Sequence, residues 1–424
     1  MKDGNRTPDG AGERQAPCVG RRVPKRGLAI EHCDQWHEMG FRIDYREKVK
    51  RYGFPRQLED ELLTLFEQNV DRILSRSRRT LKKLSTKTQE WRLTYICAMF
   101  HDLRSSGGFQ IQSPWSLRHK HISWLVQSSV ERGQAMGTIE NKLTYLRALA
   151  EWMGKPNLVL PLEGYVDRKA AGLERHYVAQ EDRAWSAKGI DIAAVIAKIE
   201  AEEPVAGVQL RLMWRFGLRV EEALKLKPAV ALRDGVLRVD EGTKGGRKRP
   251  VPITHPAEQY AVLEAAARFA NSRTGSTIPD AHSYDSWCGR LYSLLAKHGV
   301  ARAGELGVTA HGLRHEYMQG LYTHITGAPA PIKADASRID PAIHREGQRR
   351  VAEAAGHSRA TKANAYLSTY STQQSLRKPA VTPTEASAAL AANSGNKTKA
   401  ALALSISRRA LYRLLERSDA GDRS

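Results

Sequence analysis

Cysteine is scarce in this chain: four in 424 residues, at Cys18, Cys33, Cys97 and Cys288, with none close to another. That spacing excludes a paired-cysteine zinc site and a disulfide framework. Long apolar runs are also lacking. No stretch approaches the roughly 18 consecutive apolar residues of a spanning helix. The start, Met1-Lys2-Asp3-Gly4-Asn5-Arg6, has no apolar core of a signal peptide. A reducing cytoplasm, close to the nucleoid, is the expected location. Acidic residues are outnumbered: 46 Asp and Glu against 67 Lys and Arg leave a formal charge of +21. Such a field gathers polyanions, so nucleic acid is the expected partner. Anionic membrane is the rival, but no basic amphipathic anchor supports it, and charge that merely aids solubility is the plainest alternative. The length predicts two or three domains.

Along the chain, residues 1–55 read as a basic flexible leader with partial order near Tyr45–Phe54. A helical module follows over 56–157. Its first stripe is Leu58, Leu62, Leu63 and Phe66, extended by Val70 and Ile73. A second helix starts near Ser85-Thr86, where Thr86 and Gln89 have capping-box spacing, and carries Leu93, Ile96, Cys97 and Phe100. Pro114 precedes a third, through Ile122, Leu125 and Val126. Thr138 is the expected N-cap of a fourth, bearing Ile139, Leu143, Leu146 and Leu149. Arg118, Lys120, Lys142 and Arg147 fall outside these apolar faces. Residues 158–186, with Pro161, Gly164 and many charges, read as a linker.

A second globular region spans 187–376. One hairpin interrupts its helices: Gly235–Val239, a glycine-containing turn at Thr243–Gly246, then Pro250–Ile253. The fold class is therefore mainly α, a helical domain followed by an α+β domain with a small antiparallel sheet.

Four short segments of this region carry chemistry. Arg219 stands where an apolar helix ends at Gly217 and another begins, with Glu222 three residues on to orient its guanidinium. A planar, permanently charged fork suits bidentate contact with phosphate oxygens. Lys244 lies on the basic hairpin tip, with Arg247, Lys248 and Arg249 as further DNA-contact candidates. In His311-Gly312-Leu313-Arg314-His315, the first and fourth residues share a helical face, and His315 is expected to point elsewhere. Gly356-His357 is expected to begin a helix, and Tyr366 follows nine residues later. A phenol ionises only near pH 10, so it attacks well only beside cations or a base. Each segment alone reads more readily as surface charge or a structural residue.

Taken in order, Gly-Leu-Arg-x-x-Glu, a lysine on a basic hairpin, His-x-Leu-Arg-His, Gly-His and the tyrosine nine residues on resemble the catalytic domain of the tyrosine recombinases, the phage-integrase family. The resemblance covers about 190–372, and the module at 56–157 looks like that family's core-binding (SAM-like) domain. It implies that Arg219 and Arg314 clamp the scissile phosphate and that Tyr366 attacks to form a 3′-phosphotyrosyl link. Lys244 would protonate the leaving 5′-oxygen, His311 would move a proton at the tyrosine, and His357 would hydrogen-bond a phosphate oxygen. Glu222 would support the cluster. It further implies no cofactor and no metal, double-stranded DNA attachment sites as partners, a homotetramer in the synapse, and DNA-bending accessory proteins. Tyr370 is the competing nucleophile. One departure stands out: 43 positions separate Arg314 from His357 (357 − 314). That is longer than the family pattern, with an insertion expected at the surface over about 326–348.

Residues 384–417 resemble a Fis-type helix-turn-helix, broken at Gly395-Asn396, with Ser407 as N-cap of the second helix. Ile406 and Leu411 would enter its core and Arg408, Arg409 and Arg413 would contact DNA; packing on a neighbouring protomer is the alternative. The expected function is site-specific recombination by the integrase of a mobile element. The alternatives are a dimer resolvase or type IB topoisomerase-like enzyme, and a non-catalytic DNA-binding regulator that retains the fold.

Overall fold

The computed structural model describes residues 44–73, 83–377, 381–404 and 406–421. Most of the expected leader, residues 1–43 with Cys18 and Cys33, lies outside the described residues. Two compact units divide the chain, Met1–Asp167 and Arg168–Ser424.

The first unit is helical: α1 (Tyr45–Lys50), α2 (Arg56–Asn69), α3 (Thr86–Ser105), α4 (His119–Glu131) and α5 (Met136–Trp152). Apolar residues at helical spacing make its core. Leu58, Leu62, Phe66, Ile96, Phe100, Ile122 and Leu149 are wholly buried. Each contributes about 1.5–3 kcal/mol over an exposed position. The end of the leader joins this core, since Val49 of α1 is buried. Helix α2 stops at Asn69, short of Ile73. Arg92 satisfies carbonyls beyond that end, donating to Val70 and Arg72.

Two helix starts differ from expectation. The cap of α3 is Ser85, whose hydroxyl accepts from the Thr88 N–H, while Gln89 reaches back to the Leu84 carbonyl. Helix α5 begins at Met136, ahead of Thr138, because Met136 is needed in the core. Of the basic residues, Arg118 and Lys120 are exposed. Lys142 and Arg147 are half-buried, donating to Ser129 and the Leu160 carbonyl.

The second unit is built around α7 (Pro204–Phe216), whose Val208, Leu210, Leu212, Met213 and Phe216 are buried. It packs on α6 (Ile192–Glu202), α10 (Pro256–Arg268) and α12 (Ala310–Thr326). Between them run α8 (Val220–Lys225), α9 (Pro228–Ala231) and a three-stranded antiparallel sheet, β1 (Leu232–Arg233), β2 (Val236–Val239) and β3 (Arg249–Pro252). The hairpin pairs Leu237 with Val251 and Val239 with Arg249, and the two-residue β1 is an addition to it. Helices α11 (Tyr284–Lys297), α13 (Pro341–Ala354), α14 (Asn364–Leu367) and α15 (Tyr370–Arg377) complete this part.

The unit boundary at 167/168 falls inside the stretch read as a linker, and much of that stretch is packed. Trp185 is fully buried and donates its indole N–H to the Thr309 carbonyl at 2.8 Å. The insertion expected at the surface is also partly interior. Helix α12 runs on to Thr326, and Ala330 and Ile332 enter the core beyond it. The Ile332 N–H donates to the Leu367 carbonyl at 2.8 Å, so this segment closes over α14.

The tail forms α16 (Pro383–Ala392), α17 (Lys397–Ala403) and α18 (Arg408–Gly421) around a small core of Ala386, Ala400, Ala401 and Leu411. Asn396 caps α17, and the Ser407 hydroxyl accepts from the Ala410 N–H at the start of α18.

Candidate active site

The site grows from one helix start. Helix α7 ends on Gly217 at φ 58°, a left-handed conformation natural to glycine. A Cβ there would lie 2.5 Å from the Tyr317 ring. The next helix opens with Arg219 at its N-cap, and Glu222 of its first turn accepts the Arg219 N–H at 2.8 Å. That carboxylate is fully buried and gathers three guanidiniums: Arg219 at 2.5 Å, Arg249 at 2.7 Å and Arg314 at 3.7 Å. Burial alone would raise the Glu222 carboxyl; Arg249, Arg219 and Arg314 outweigh it and hold it down to about 2.

Carbonyls share the remaining donors. Arg219 donates to Ala355 at 3.0 Å and Arg314 to Ala355 at 2.7 Å, while Arg314 also bonds the Gly217 carbonyl and Arg249 that of Ala354. The acceptors at 354–355 exist because α13 stops there. Gly356 at φ 74° and His357, whose N–H returns to the Ala352 carbonyl, close that helix. Gly356-His357 thus ends a helix rather than beginning one. A Cβ at Gly356 would stand 2.9 Å from Arg249 Cδ.

Tyr366 closes the cluster. Its hydroxyl accepts from Arg314 Nε at 3.0 Å, and the side chain is 5% exposed. Three imidazoles surround its ring, with centroids at 5.0 Å for His315, 6.2 Å for His357 and 6.4 Å for His311. Burial pushes His311 down to about 4, helped by Arg314 and Arg219. Burial likewise takes His315 to about 3, and His357 to about 4 with Arg219, Arg314, Lys362 and Lys244 adding to it. These rings are neutral near pH 7 and resist protonation while the guanidiniums beside them stay uncompensated. Three guanidiniums against one carboxylate leave the pocket short of negative charge, which an oxyanion would supply.

Comparison with known proteins bears on this arrangement. Residues 176–320 match the family model described as Integrase, residues 73–159 that of Phage integrase, N-terminal, and residues 387–417 that of Bacterial regulatory protein, Fis family. The chain belongs to the tyrosine recombinases. No curated protein matches it. Solved structures similar to this recombinase include a lambda integrase dimer bound to a COC′ core site, at 17% identity and TM-score 0.43, covering 67% of this chain and 89% of that one. A Tn1549 transposon integrase with transposon right end DNA shows 13% identity and TM-score 0.46, covering 74% and 98%. XerH site-specific recombinase on a palindromic difH substrate shows 17% identity and TM-score 0.44, covering 78% and 91%.

The recombinase thus brings Arg219, Glu222, His311, Arg314, His357 and Tyr366 into one cluster. Lys244 stands exposed on the hairpin tip, and its charge reaches His357. Arg247 and Lys248 are exposed beside it. Arg249 corrects the expectation: it is 3% exposed and bound to Glu222, so it organises the cluster instead of facing DNA. The signal was present in the strand period, since Arg249 and the buried Val251 face the same way. His315 is the other correction. It lies four residues from His311, on the same helical face, and packs on Tyr366. Tyr370 packs instead against His344, with ring centroids 5.2 Å apart. In the tail, Arg408, Arg409 and Arg413 are exposed, Leu411 is buried and Ile406 packs against the tail core. Among the described residues no group of three or more His, Cys, Asp or Glu could hold a metal ion, and no helix is long and apolar enough to cross a membrane.

The buried histidines predict a pH dependence. Each has a folded pKa below its ordinary 6.5, so its stabilising effect is complete above 6.5 and falls away as pH drops towards 4. Glu222 adds a loss only below its ordinary 4.5. Urea unfolding midpoints should therefore drop between pH 7 and 5. His315→Gln, which cannot protonate, should flatten that slope; an unchanged slope would count against the assignment.

Proposed function

We propose that this recombinase breaks and rejoins double-stranded DNA at attachment sites through a 3′-phosphotyrosyl intermediate, as the integrase of a mobile element. One observation carries the reading: the Tyr366 hydroxyl is bonded to Arg314 in a pocket of three guanidiniums and one carboxylate. A diester phosphate drawn there would lie beside the nucleophile. Arg219 and Arg314 stabilise charge on its non-bridging oxygens, with Glu222 and Arg249 holding the forks in place. Tyr366 attacks in line and passes its proton towards His311 or His315, whose basicity rises once the phosphate's negative charge offsets Arg219 and Arg314. His357 hydrogen-bonds a phosphate oxygen. Lys244, carried in by the hairpin tip, protonates the departing 5′-oxygen. The phosphotyrosyl bond conserves the energy of the broken diester, so the free 5′-hydroxyl of another strand can reverse the step without a cofactor. Exchange between two sites needs four such centres, hence a homotetramer near the nucleoid, with accessory proteins to bend the DNA. The tail presents Arg408, Arg409 and Arg413 of α18 to a second stretch of DNA, in the manner of a recognition helix.

The test is a DNA duplex from the ends of the element, nicked beside the cleavage point so that the short fragment bearing the freed 5′-hydroxyl is lost. The full chain should be trapped as a covalent protein–DNA species. A chain lacking 384–424 should also trap, but only at higher DNA concentration. Failure of the full chain to trap at any end sequence would favour a non-catalytic regulator, and unaltered affinity of the shortened chain would reassign the tail to protein contacts.

A further inference from the structure

Helix α14, which carries Tyr366, is a single turn of four residues. A turn this short cannot hold itself, because helix nucleation costs more than one or two internal hydrogen bonds return. Its carbonyls are held from outside. The Ala179 N–H donates to Asn364 O at 2.9 Å, Gln319 Nε2 to Tyr366 O at 3.3 Å, and the Ile332 N–H to Leu367 O at 2.8 Å. Two of these donors belong to segments read from the sequence as linker and insertion.

Ser368 ties off the turn. It is wholly buried at φ 64°, ψ −164°, a conformation an L-residue adopts only when its surroundings impose it. Its hydroxyl donates to the Ala179 carbonyl at 2.5 Å, so Ala179 is bonded to both ends of the turn. Gln319 is anchored in its turn by Asp182, which accepts its amide at 2.7 Å, three residues along the same strap.

We infer that Ser368 and Gln319 are positioning residues for Tyr366, tethering the nucleophile's turn to the strap at 179–182 so that its hydroxyl stays registered on Arg314. The inference rests on Tyr366 being the nucleophile. Neither side chain touches the phosphate pocket. Each acts through the backbone of α14, and slack there moves the attacking oxygen away from the reacting phosphorus.

Ser368→Gly separates positioning from plain stability, because glycine accepts φ 64° without strain while lacking the hydroxyl. Single-turnover cleavage of the nicked duplex should slow about tenfold to a hundredfold, the usual consequence of an ångström-scale misplacement. The melting temperature should be unchanged or higher, and DNA affinity should stay within about twofold, well below the tenfold that 1.4 kcal/mol would bring. Gln319→Met, close in shape, should slow cleavage in the same way. Cleavage by Ser368→Gly at the wild-type rate overturns the inference, and so does a slow variant whose melting temperature falls in step. Covalent adducts formed by a chain without the Tyr366 hydroxyl would instead defeat the nucleophile assignment, a separate and distinguishable failure.

Discussion

Replacing Tyr366 by phenylalanine is expected to abolish covalent DNA adducts while leaving the fold and DNA affinity intact. The substitution removes one oxygen. The ring, which packs among His311, His315 and His357, remains, and so does the cation–π contact with Arg314 at 5.5 Å. Arg314 loses one acceptor but keeps the Gly217 and Ala355 carbonyls. Losing a neutral acceptor of this kind costs about 1–3 kcal/mol if nothing replaces it, and water or a phosphate oxygen can. Cleavage has no such substitute, because no other hydroxyl is bonded to the guanidiniums among the described contacts. Tyr370 faces His344 and Tyr322 instead. A denaturing gel that still shows protein-linked DNA after Tyr366→Phe would move the nucleophile elsewhere.

Glu222→Ala should have the largest effect on stability. The carboxylate is buried and compensates three guanidiniums at once. Its removal leaves Arg249 and Arg314 buried without a counter-charge. Breaking a buried ion pair by deleting one partner costs about 3–5 kcal/mol. The N-terminus of α8 also loses the carboxylate that accepts the Arg219 N–H, and a lost cap costs about 0.5–2 kcal/mol. A marginally stable domain would be largely unfolded at 37 °C by the sum. Glu222→Gln keeps the shape and one acceptor, so it should fold better than alanine yet cleave slowly, with its arginines poorly aligned. Chemical denaturation of both variants checks the order; alanine as stable as wild type would mean the charges are solvated, not paired.

Much of this site was legible because its parts are local. Arg219 and Glu222 are three residues apart at a glycine-marked helix start, so sequence spacing alone put them in contact. The helical stripe of Leu58, Leu62 and Phe66 was legible for the same reason. What escaped notice depends on tertiary packing or on a second period. Arg249 reads as one more basic residue of the tip until strand alternation places it beside Val251. Gly356-His357 could open or close a helix, and only the carbonyls of α13 decide between them. The insertion looked external because of its prolines and charges, yet Ala330 and Ile332 are claimed by the core around α14. Short polar segments gain structure from whatever they lie against, and that is not written in their own residues.

Strand β3 carries a consequence of its alternation. Arg249 pairs with Val239, and its side chain passes inward to Glu222, while Lys248 just before it stays outside near Asp240. Side chains in a strand change sides at every residue, so a slip of one position would turn Arg249 out to solvent and draw a neighbour into its place. The parity of the hairpin is therefore tied to the chemistry, as is Lys244 on its tip, whereas the other exposed residues there are not. Residues between Val239 and Arg249 other than Gly242, where a Cβ would meet the Glu221 carbonyl, and Lys244 can change, provided the strand re-enters on the same side.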